Sequence, residues 1–411
     1  MRPATGLRLY LATSFPARLA EEGMAVAVVL LAVERTGDAA QGAFTLTAWM
    51  APHVLAAPLT GGLAARVRRP RLFYLCALGG FALAIAAVGL LMGRAPAGVT
   101  LAVALAGGTC GPIVSGGLSS LVPVLAPGAK DRDRAYALDA AGYNAASVAG
   151  PAVVSVAAGL LTPGAATGLL AGAAGCAALL STALPLRHTP VQDGARQPLR
   201  ADLLAGLAAV WRVRELRAIT AATCLGHLGV GALTSTAVLL AADRGHLGGG
   251  GVLMTAFAVG ALVGALAVAR LPPLPAQRMA GLSLLGTGAA LGAAALVPWF
   301  GAGVALFAVA GLADGPLLAA TLQIRAGHAP EGARTQVFTL GAGLKITAAA
   351  SGAALAGAGA GLDPALLLLA VAAVQLAAAA LYAAARAERR TVRAAPGPAV
   401  PAPPDPARKA S

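Results

Sequence analysis

The chain has 411 residues, of which 58% are hydrophobic and 11% charged, and its formal net charge is +14. Soluble domains carry about 25% charged residues, so a soluble fold of this composition would leave too much apolar surface in water. Transmembrane β-strands would alternate polar and apolar residues over about 10 positions, whereas the apolar runs here are longer and uniform. The composition therefore predicts an all-α membrane protein with many spans.

Twelve apolar runs are long enough to cross a bilayer, for which a helix needs roughly 20 residues. Six lie within residues 1–186, a predicted N-terminal half, and six within 217–386, a predicted C-terminal half. Residues 187–216 are predicted to form a cytoplasmic linker with an amphipathic helix, and the Pro-rich residues 387–411 a disordered cytoplasmic tail. The predicted spans are 9–33, 41–64, 72–93, 98–124, 137–161, 164–186, 217–241, 249–270, 278–299, 301–323, 335–359 and 363–385.

The distribution of Lys and Arg predicts the orientation of these spans. Of the 30 basic residues, the predicted topology places 25 on one face, two inside spans, and only Arg35, Arg94 and Arg244 in the opposite loops. Because cytoplasmic loops collect Lys and Arg, both termini are predicted to be cytoplasmic, in a plasma or inner membrane. The positive charge then forms a rim at the membrane surface, and no nucleic-acid partner is predicted.

The first span carries three ionisable residues near its midpoint, Arg18, Glu21 and Glu22. Spacings of three and four residues place both Glu side chains on the helical face of Arg18. An ionised group at the centre of a membrane helix costs about 2.5–3.5 kcal/mol, so such groups generally face a partner or a wet cavity. Two interpretations remain open: a self-neutralised structural cluster, or a substrate or proton site with a surplus acid.

Polar residues also lie in the second and fifth spans. His53 has a depth similar to that of the two Glu residues, so it is interpreted either as a core histidine or as a partner in proton sharing. Asp139 and Tyr143 are four residues apart in the fifth span, and Asn144 is adjacent. Asp139 is expected near the cytoplasmic end, where it contacts either the other half, as part of a gate, or the substrate.

The second half carries its own ionisable residues. His227, in the seventh span, takes the position of Arg18 when the two halves are aligned. Asp314 in the tenth span and Lys345 in the eleventh are at similar depth on consecutive spans. An ion pair between these two residues is therefore predicted.

A long pattern occurs twice along the chain, in residues 111–151 and again in 315–352. Each copy contains a Gly-Pro, an apolar run, an Ala-Pro, a charged turn ending in Arg, and a second apolar run. Because each half has six spans, both halves would have the same orientation in the membrane. The pattern predicts parallel repeats packed around a shared site.

Two local motifs resemble a known family. The loop after the second span reads GGLAARVRRPRL, and the fifth span contains Gly150 and Pro151. Together with the six-plus-six layout, they resemble the major facilitator superfamily (MFS), and within it bacterial drug and metabolite exporters. Arg66 matches the family's loop signature, whereas Ala65 and Arg68 replace its Asp and its second Gly. The resemblance implies twelve transmembrane helices in two parallel six-helix repeats.

Gly150 and Pro151 match part of the family's exporter motif. A packing role rests on the close approach that a small residue permits and on the kink that proline introduces; a role in transport direction is the alternative. In the family, the first, fourth, seventh and tenth spans line a central cavity. The resemblance therefore implies a substrate and proton cavity built from Arg18, Glu21, Glu22, His227 and Asp314, supported by His53, Tyr143, Asn144 and Lys345.

Enzymatic motifs such as GxSxG, HExxH or Walker are missing from the sequence, so neither an enzyme nor a cofactor is predicted. The four cysteines lie in apolar runs without CxxC spacing and predict no metal site. The leading hypothesis is a monomeric, proton-coupled exporter of a small organic compound, working by alternating access in the lipid bilayer. The alternatives are an uptake symporter or facilitator of a small metabolite, and a transport-inactive receptor or assembly partner. Substrate identity, direction and stoichiometry stay open.

Overall fold

A computed structural model describes residues 3–126, 128–186, 199–246, 249–270, 274–359 and 361–394. Every regular element in these ranges is a helix. The α-helices are α1 (Pro3–Thr36), α2 (Ala39–Met50), α3 (His53–Arg66), α4 (Pro70–Leu91), α5 (Ala97–Gly108), α6 (Val122–Leu125), α7 (Ala129–Leu160), α8 (Pro163–Ser181), α9 (Leu199–Arg212), α10 (Arg214–Asp243), α11 (Gly249–Arg270), α12 (Ala276–Leu296), α13 (Phe300–His328), α14 (Arg334–Ala358) and α15 (Pro364–Ala394). A π-helix (Ile113–Gly117) and two short 3₁₀-helices (Ser119–Leu121 and Glu331–Ala333) complete the set.

Ten helical segments in the described ranges are long and apolar enough to cross a membrane, judged by length and composition. They correspond to the third to twelfth predicted spans. The first predicted span lies in α1, which has 34 residues but carries several charged side chains. The second is divided between α2 and α3, of 12 and 14 residues, each too short to cross alone. The prediction of an all-helical membrane architecture is confirmed, while the twelve-span count and the repeat symmetry stay predictions.

The second and fourth predicted spans are not continuous α-helices, and their interruptions contact each other. Pro52 lies at the break between α2 and α3, because proline has no N–H and clashes with the preceding helical turn. A Cβ on Gly108 would lie 1.9 Å from the Trp49 carbonyl oxygen, and a Cβ on Gly111 would lie 1.9 Å from His53 Nε2. Only glycine permits this approach, so these glycines determine where Trp49 and His53 lie.

Helices α1 to α8 form a first helix group (residues 3–186), in which α1 packs against α7 and α8. At the crossing of α1 and α7, a Cβ on Gly150 would lie 2.8 Å from the Gly23 nitrogen and 2.9 Å from the Leu19 carbonyl oxygen. Small residues let membrane helices approach in this way, where dispersion contacts replace a hydrophobic driving force. The contact supports the packing interpretation of Gly150.

We expect Gly150→Ala to destabilise the folded protein by about 1–3 kcal/mol, because the added methyl group meets the backbone of α1 and the two helices must separate. Gly142→Ala on the same helix is the matched control, since its Cβ would meet open space. Alanine there is expected to be neutral or to stabilise the helix by up to about 1 kcal/mol. Unfolding in mixed detergent micelles measures both variants, and equal stabilities would contradict the packing role.

Helices α10 to α15 form a second helix group (residues 214–394), in which α10 packs against α14 and α15, and α11 against α13. Glycine again permits the crossings. A Cβ on Gly352 of α14 would lie 1.8 Å from the Leu228 carbonyl oxygen, and a Cβ on Gly311 of α13 would lie 1.9 Å from the Phe257 carbonyl oxygen. The high glycine content, 53 residues, thus serves helix packing at these positions.

The linker between the groups contains a helix, α9, which ends at Arg212. Val213 is extended, and α10 starts directly after it. Val210 is buried and packs with residues of α10 and α14, whereas Trp211 is 70% exposed. Exposed Trp211 and Leu207 suit a helix at the bilayer interface; that location stays a prediction.

The C-terminal boundary differs from the predicted one. Helix α15 continues to Ala394, past the predicted start of the tail at residue 387, and the disordered cytoplasmic tail stays a prediction. The cause is local: AERRTV after the last apolar run contains strong helix formers and no proline, which first occurs at Pro396. Residues 395–411 of the predicted tail and 187–198 of the predicted linker lie outside the described residues.

Candidate substrate cavity

A cavity of about 520 Å³ lies between the two helix groups, bounded by α1, the π-helix, α7, α10, α11, α13 and α14. Its volume lies within the range of about 300–1,000 Å³ that small-molecule sites occupy, and it is lined by both apolar and ionisable side chains. The predicted residues that it brings together are Arg18, Glu22, Asp139, Tyr143, Asn144, Pro151, His227, Asp314 and Lys345. Among the described residues that line the cavity, one further residue is charged: Arg325, which was not predicted to belong to the site.

Arg18 is held in a buried ion pair with Asp139 of α7, with an Nη1–Oδ1 distance of 2.7 Å. Tyr10 donates to the same Oδ1 atom at 2.6 Å, and Ser119 donates to Oδ2 at 2.7 Å. Arg18 Nη2 also donates to Ser119 Oγ at 2.9 Å. Every carboxylate oxygen of Asp139 is therefore hydrogen-bonded, as a buried ion pair requires.

This network bears on two interpretations that the sequence left open. Arg18 is not neutralised by Glu21 or Glu22 on its own helix, because its guanidinium reaches Asp139, 121 residues along the chain. Of the two alternatives for Asp139, the contact with the other half is not formed in this conformation, since its carboxylate binds side chains of the first helix group. Asp139 lines the cavity, so the substrate contact stays a prediction. The pair cancels its own charge, so the two Glu residues are left as the surplus acids of α1.

Glu21 lies against a second cavity, of about 280 Å³, that adjoins the first. Its Oε1 atom is 3.3 Å from His53 Nε2, and both side chains are largely buried. Glu21 Oε2 and His53 Nδ1 have no hydrogen-bond partner among the described residues. The structure thus places the predicted proton-sharing partners in contact, outside the lining of the larger cavity.

Tyr143 separates the two cavities. Its ring contacts two cations, with Arg18 Cζ 5.4 Å and Lys345 Nζ 5.3 Å from the ring centroid, within the range of cation–π attraction. Glu22, His227 and Lys345 also line both cavities. We call these four residues, Glu22, Tyr143, His227 and Lys345, the septum between the cavities. They come from α1, α7, α10 and α14, so both helix groups contribute to it.

The predicted ion pair between Asp314 and Lys345 is not formed in this conformation. Around the two cavities, Arg18 pairs with Asp139 and His53 with Glu21. Asp314 Oδ1 is buried without a hydrogen-bond partner, and the Lys345 ammonium faces the Tyr143 ring. The prediction used depth alone, and equal depth does not determine which way two side chains point from their helices.

Arg325 was placed in a cytoplasmic loop because the tenth span was predicted to end at residue 323. Helix α13 instead continues to His328, which carries Arg325 into the cavity wall with 3% exposure. A signal was available in the sequence: no proline or glycine separates Asp314-Gly-Pro from Gly327, so the helix has no reason to stop at residue 323.

The two helix groups contact each other at one end of the cavity. Thr339 of α14 donates to the Ala57 carbonyl oxygen at 2.7 Å. A Cβ on Gly61 would lie 2.5 Å from Thr339 Oγ1, and a Cβ on Gly116 would lie 2.7 Å from the Phe338 carbonyl oxygen. Helix α3 ends here, and α7 and α14 begin here; we call it the basic end, because it contains Arg66, Lys130 and Arg334.

Of the predicted gate residues, Asn144 lies beside the cavity and Arg66 lies at the basic end. Asn144 Nδ2 donates to the Ala261 carbonyl oxygen of α11 at 3.2 Å, which joins the helix groups beside the cavity. Arg66 lies in the last turn of α3 and is not among the described residues that line either cavity. The contact between the helix groups at the basic end thus rests mainly on close approaches to backbone atoms, which sequence motifs do not reveal.

A helical bundle that combines membrane-spanning length with a charged cavity between two helix groups is a multi-pass membrane protein built around an internal solute-sized site. Comparison with known proteins agrees. A sequence profile described as Major Facilitator Superfamily matches residues 10–274. The chain belongs to the major facilitator superfamily. Because this is a family of transporters, the prediction that the chain is not an enzyme is confirmed.

Individual relatives are more distant. Over 237 residues, the chain is 30% identical to the uncharacterized MFS-type transporter y4rN of Sinorhizobium fredii (strain NBRC 101917 / NGR234); the match covers 56% of each protein, so the chain spans little more than half of that relative's length. Among solved structures, the human organic anion transporter MFSD10 (TETRAN) is similar with a TM-score of 0.73 and 17% identity, over 93% of this chain and 100% of that one. A single-residue variant of the E. coli fucose:proton symporter FucP is similar with a TM-score of 0.70 and 14% identity, over 94% and 99%. These two likenesses concern the fold.

Proposed function

We propose that the chain is a proton-coupled transporter that exports a small organic compound by alternating access. The observation that carries the proposal is the cavity between the helix groups, where Glu22 and Asp314 are half-buried acids outside any ion pair among the described residues. Acids kept in such a place are costly unless they serve a solute or a proton. A proton on either acid would alter its attraction to Lys345 and so favour one arrangement of the helix groups.

Under this proposal, the contact at the basic end opens and closes during transport. Backbone approaches at Gly61 and Gly116 close that end in the present conformation. If the basic end faces the cytoplasm, as the distribution of Lys and Arg predicts, this conformation is closed to the cytoplasm. Rocking of one helix group against the other would open it, as in other transporters with a site at the interface of two bundles.

Glu22→Gln is expected to lower transport driven by a pH gradient at least about tenfold, because the variant keeps the shape of the side chain and loses its ionisation. Glu34→Gln is the matched control, since Glu34 is an exposed residue of the same helix. Cells with and without the protein would first be compared for accumulation of labelled organic acids, amines and sugars at two external pH values. The compound found is then used in proteoliposomes, and full gradient-driven transport by Glu22→Gln would remove Glu22 from the coupling.

Uptake by proton symport is a second candidate, favoured by the fold shared with a fucose:proton symporter. Vesicles of defined orientation separate the two directions. Export predicts that an inward-directed proton gradient drives the compound out, and symport predicts that it drives the compound in. A transport-inactive receptor predicts binding without flux in either direction. A monomer in an inner or plasma membrane remains our expectation for all three.

A further inference from the structure

Arg325 is a buried cation in the cavity wall, and no described acidic side chain at the same depth in the bundle pairs with it. Its Nε and Nη2 atoms have no hydrogen-bond partner among the described residues. Asp314 lies 11 residues earlier on α13, which puts it on the same helical face but roughly 16 Å away along the axis. Asp139 is already bound to Arg18, and Glu22 lies at the septum beside the second cavity. No described acid forms an ion pair with Arg325.

The direction of the side chain argues against a simple surface role. A long basic residue near the end of a membrane helix generally extends toward the interface. Arg325 instead packs on α14, where a Cβ on Gly341 would lie 2.3 Å from its Cζ atom. Gly341 lies seven residues into α14, roughly 10 Å from its start, whereas Arg325 lies about 4.5 Å from the end of α13. The guanidinium thus extends toward the middle of the bundle and does not cap its own helix.

A second cation lies one helical turn further along the same face. Lys345 follows Gly341 by four residues, roughly 6 Å along α14, and it lines the same cavity. The surrounding wall includes Leu318, which is half-buried and offers apolar surface to the cavity. A guanidinium with free N–H groups, an ammonium nearby and an apolar wall are the groups that bind a small organic anion.

We propose that Arg325 and Lys345 form a binding subsite for the acidic group of a small organic anion, a carboxylate, sulfonate or phosphate monoester, whose apolar part lies against Leu318. The inference deepens the proposed transport function, on which it rests, by assigning a substrate class. It explains why Gly341 is glycine, since any side chain there would displace the guanidinium. It also explains how a buried Arg can persist without an acidic partner: the solute supplies the negative charge.

The test uses the purified full-length chain in detergent at constant ionic strength. The probes are benzoate, benzenesulfonate and phenyl phosphate, with benzamide as the uncharged counterpart, and calorimetric titration measures binding. At least one anion is expected to bind and benzamide is not. Arg325→Gln is expected to weaken that anion about tenfold or more, the loss that a charge-assisted hydrogen bond predicts, and Arg325→Lys less. Arg270→Gln, which removes an exposed charge of α11, is the matched control and is expected to change nothing.

A second pair of variants tests the position of the guanidinium without removing charge. Gly341→Ala should weaken anion binding, whereas Gly327→Ala, whose Cβ would meet open space on α13, should not. The proposal is overturned if no anion binds the wild-type chain, if benzamide binds equally well, or if Arg325→Gln binds the anions as the wild type does. Flux of a cation or neutral solute coupled to protons would then preserve the transport function without the subsite. Anion binding without flux would preserve the subsite and refute transport.

Discussion

Arg18→Gln is expected to destabilise the folded protein by about 3–5 kcal/mol, the cost of removing one partner from a buried ion pair. Asp139 would remain as a carboxylate with 1% exposure and without its cation. The remaining donors, Tyr10 and Ser119, are neutral and would only partly compensate its charge. Asp139→Asn is expected to have an effect of similar size, because it leaves the guanidinium buried and unpaired.

A double variant separates loss of the pair from loss of packing. Arg18→Met with Asp139→Leu leaves no unpaired charge, so its cost should be well below the sum of the two single variants. Arg8→Gln, at an exposed position of the same helix, is the matched control. Thermal and detergent-induced unfolding give the measurement. If Arg18→Gln cost no more than Arg8→Gln, the pair would not stabilise the fold, and Arg18 would be available to a solute.

Gly116→Ala is expected to abolish most transport, with a loss of at least about tenfold, while the protein stays folded. Its Cβ would lie 2.7 Å from the Phe338 carbonyl oxygen and 2.9 Å from Thr339 Cα, both backbone atoms of α14. The two helix groups must then separate at the basic end, since backbone cannot give way as a side chain can. Gly117→Ala is the matched control, because its Cβ would meet only the Ile113 side chain, at 3.3 Å or more.

A cross-link reports the same closure without a known substrate. Ser120 Oγ and Thr335 Oγ1 are 3.3 Å apart across the basic end. In a chain whose four native cysteines are replaced, Ser120→Cys with Thr335→Cys should form a disulfide on oxidation. Adding Gly116→Ala should reduce the extent of cross-linking, and adding Gly117→Ala should not. Equal cross-linking in both would show that Gly116 does not control the closure.

Local sequence signals located the helices but not every interruption in them. The apolar runs of α4, α8, α11 and α12 have the length of a bilayer span, and their predicted limits differ from the observed ones by a few residues. The break at Pro52 was missed because hydropathy averages over a window, whereas a missing N–H acts at one position. The continuation of α13 past residue 323 was missed for the opposite reason: a charged residue lowers hydropathy without ending a helix.

The ionisable residues of the cavity were largely identified from their cost in an apolar run, which is a property of each residue and its neighbours in the chain. That reasoning selected Arg18, Glu22, Asp314 and Lys345, and the structure gathers them around one cavity. It could not assign their partners. The spacing within α1 suggested Glu21 or Glu22 for Arg18, yet the pair is made with Asp139.

The sequence by itself determined the class of protein. The amount of apolar surface and the length of the apolar runs decide whether a chain folds in water or in a lipid bilayer. The sequence also determined that acids and bases would be buried in the membrane region. The tertiary structure decided which of these charges pair and which have no ion-pair partner among the described residues around the cavity. It did so because an ion pair needs two side chains within a few ångströms, often from helices distant in sequence. Arg18 and Asp139 meet this condition, whereas Arg325 and Asp314 do not. Glycine contacts such as Gly341 with Arg325 bring the helices to those distances, and only the folded bundle reveals them.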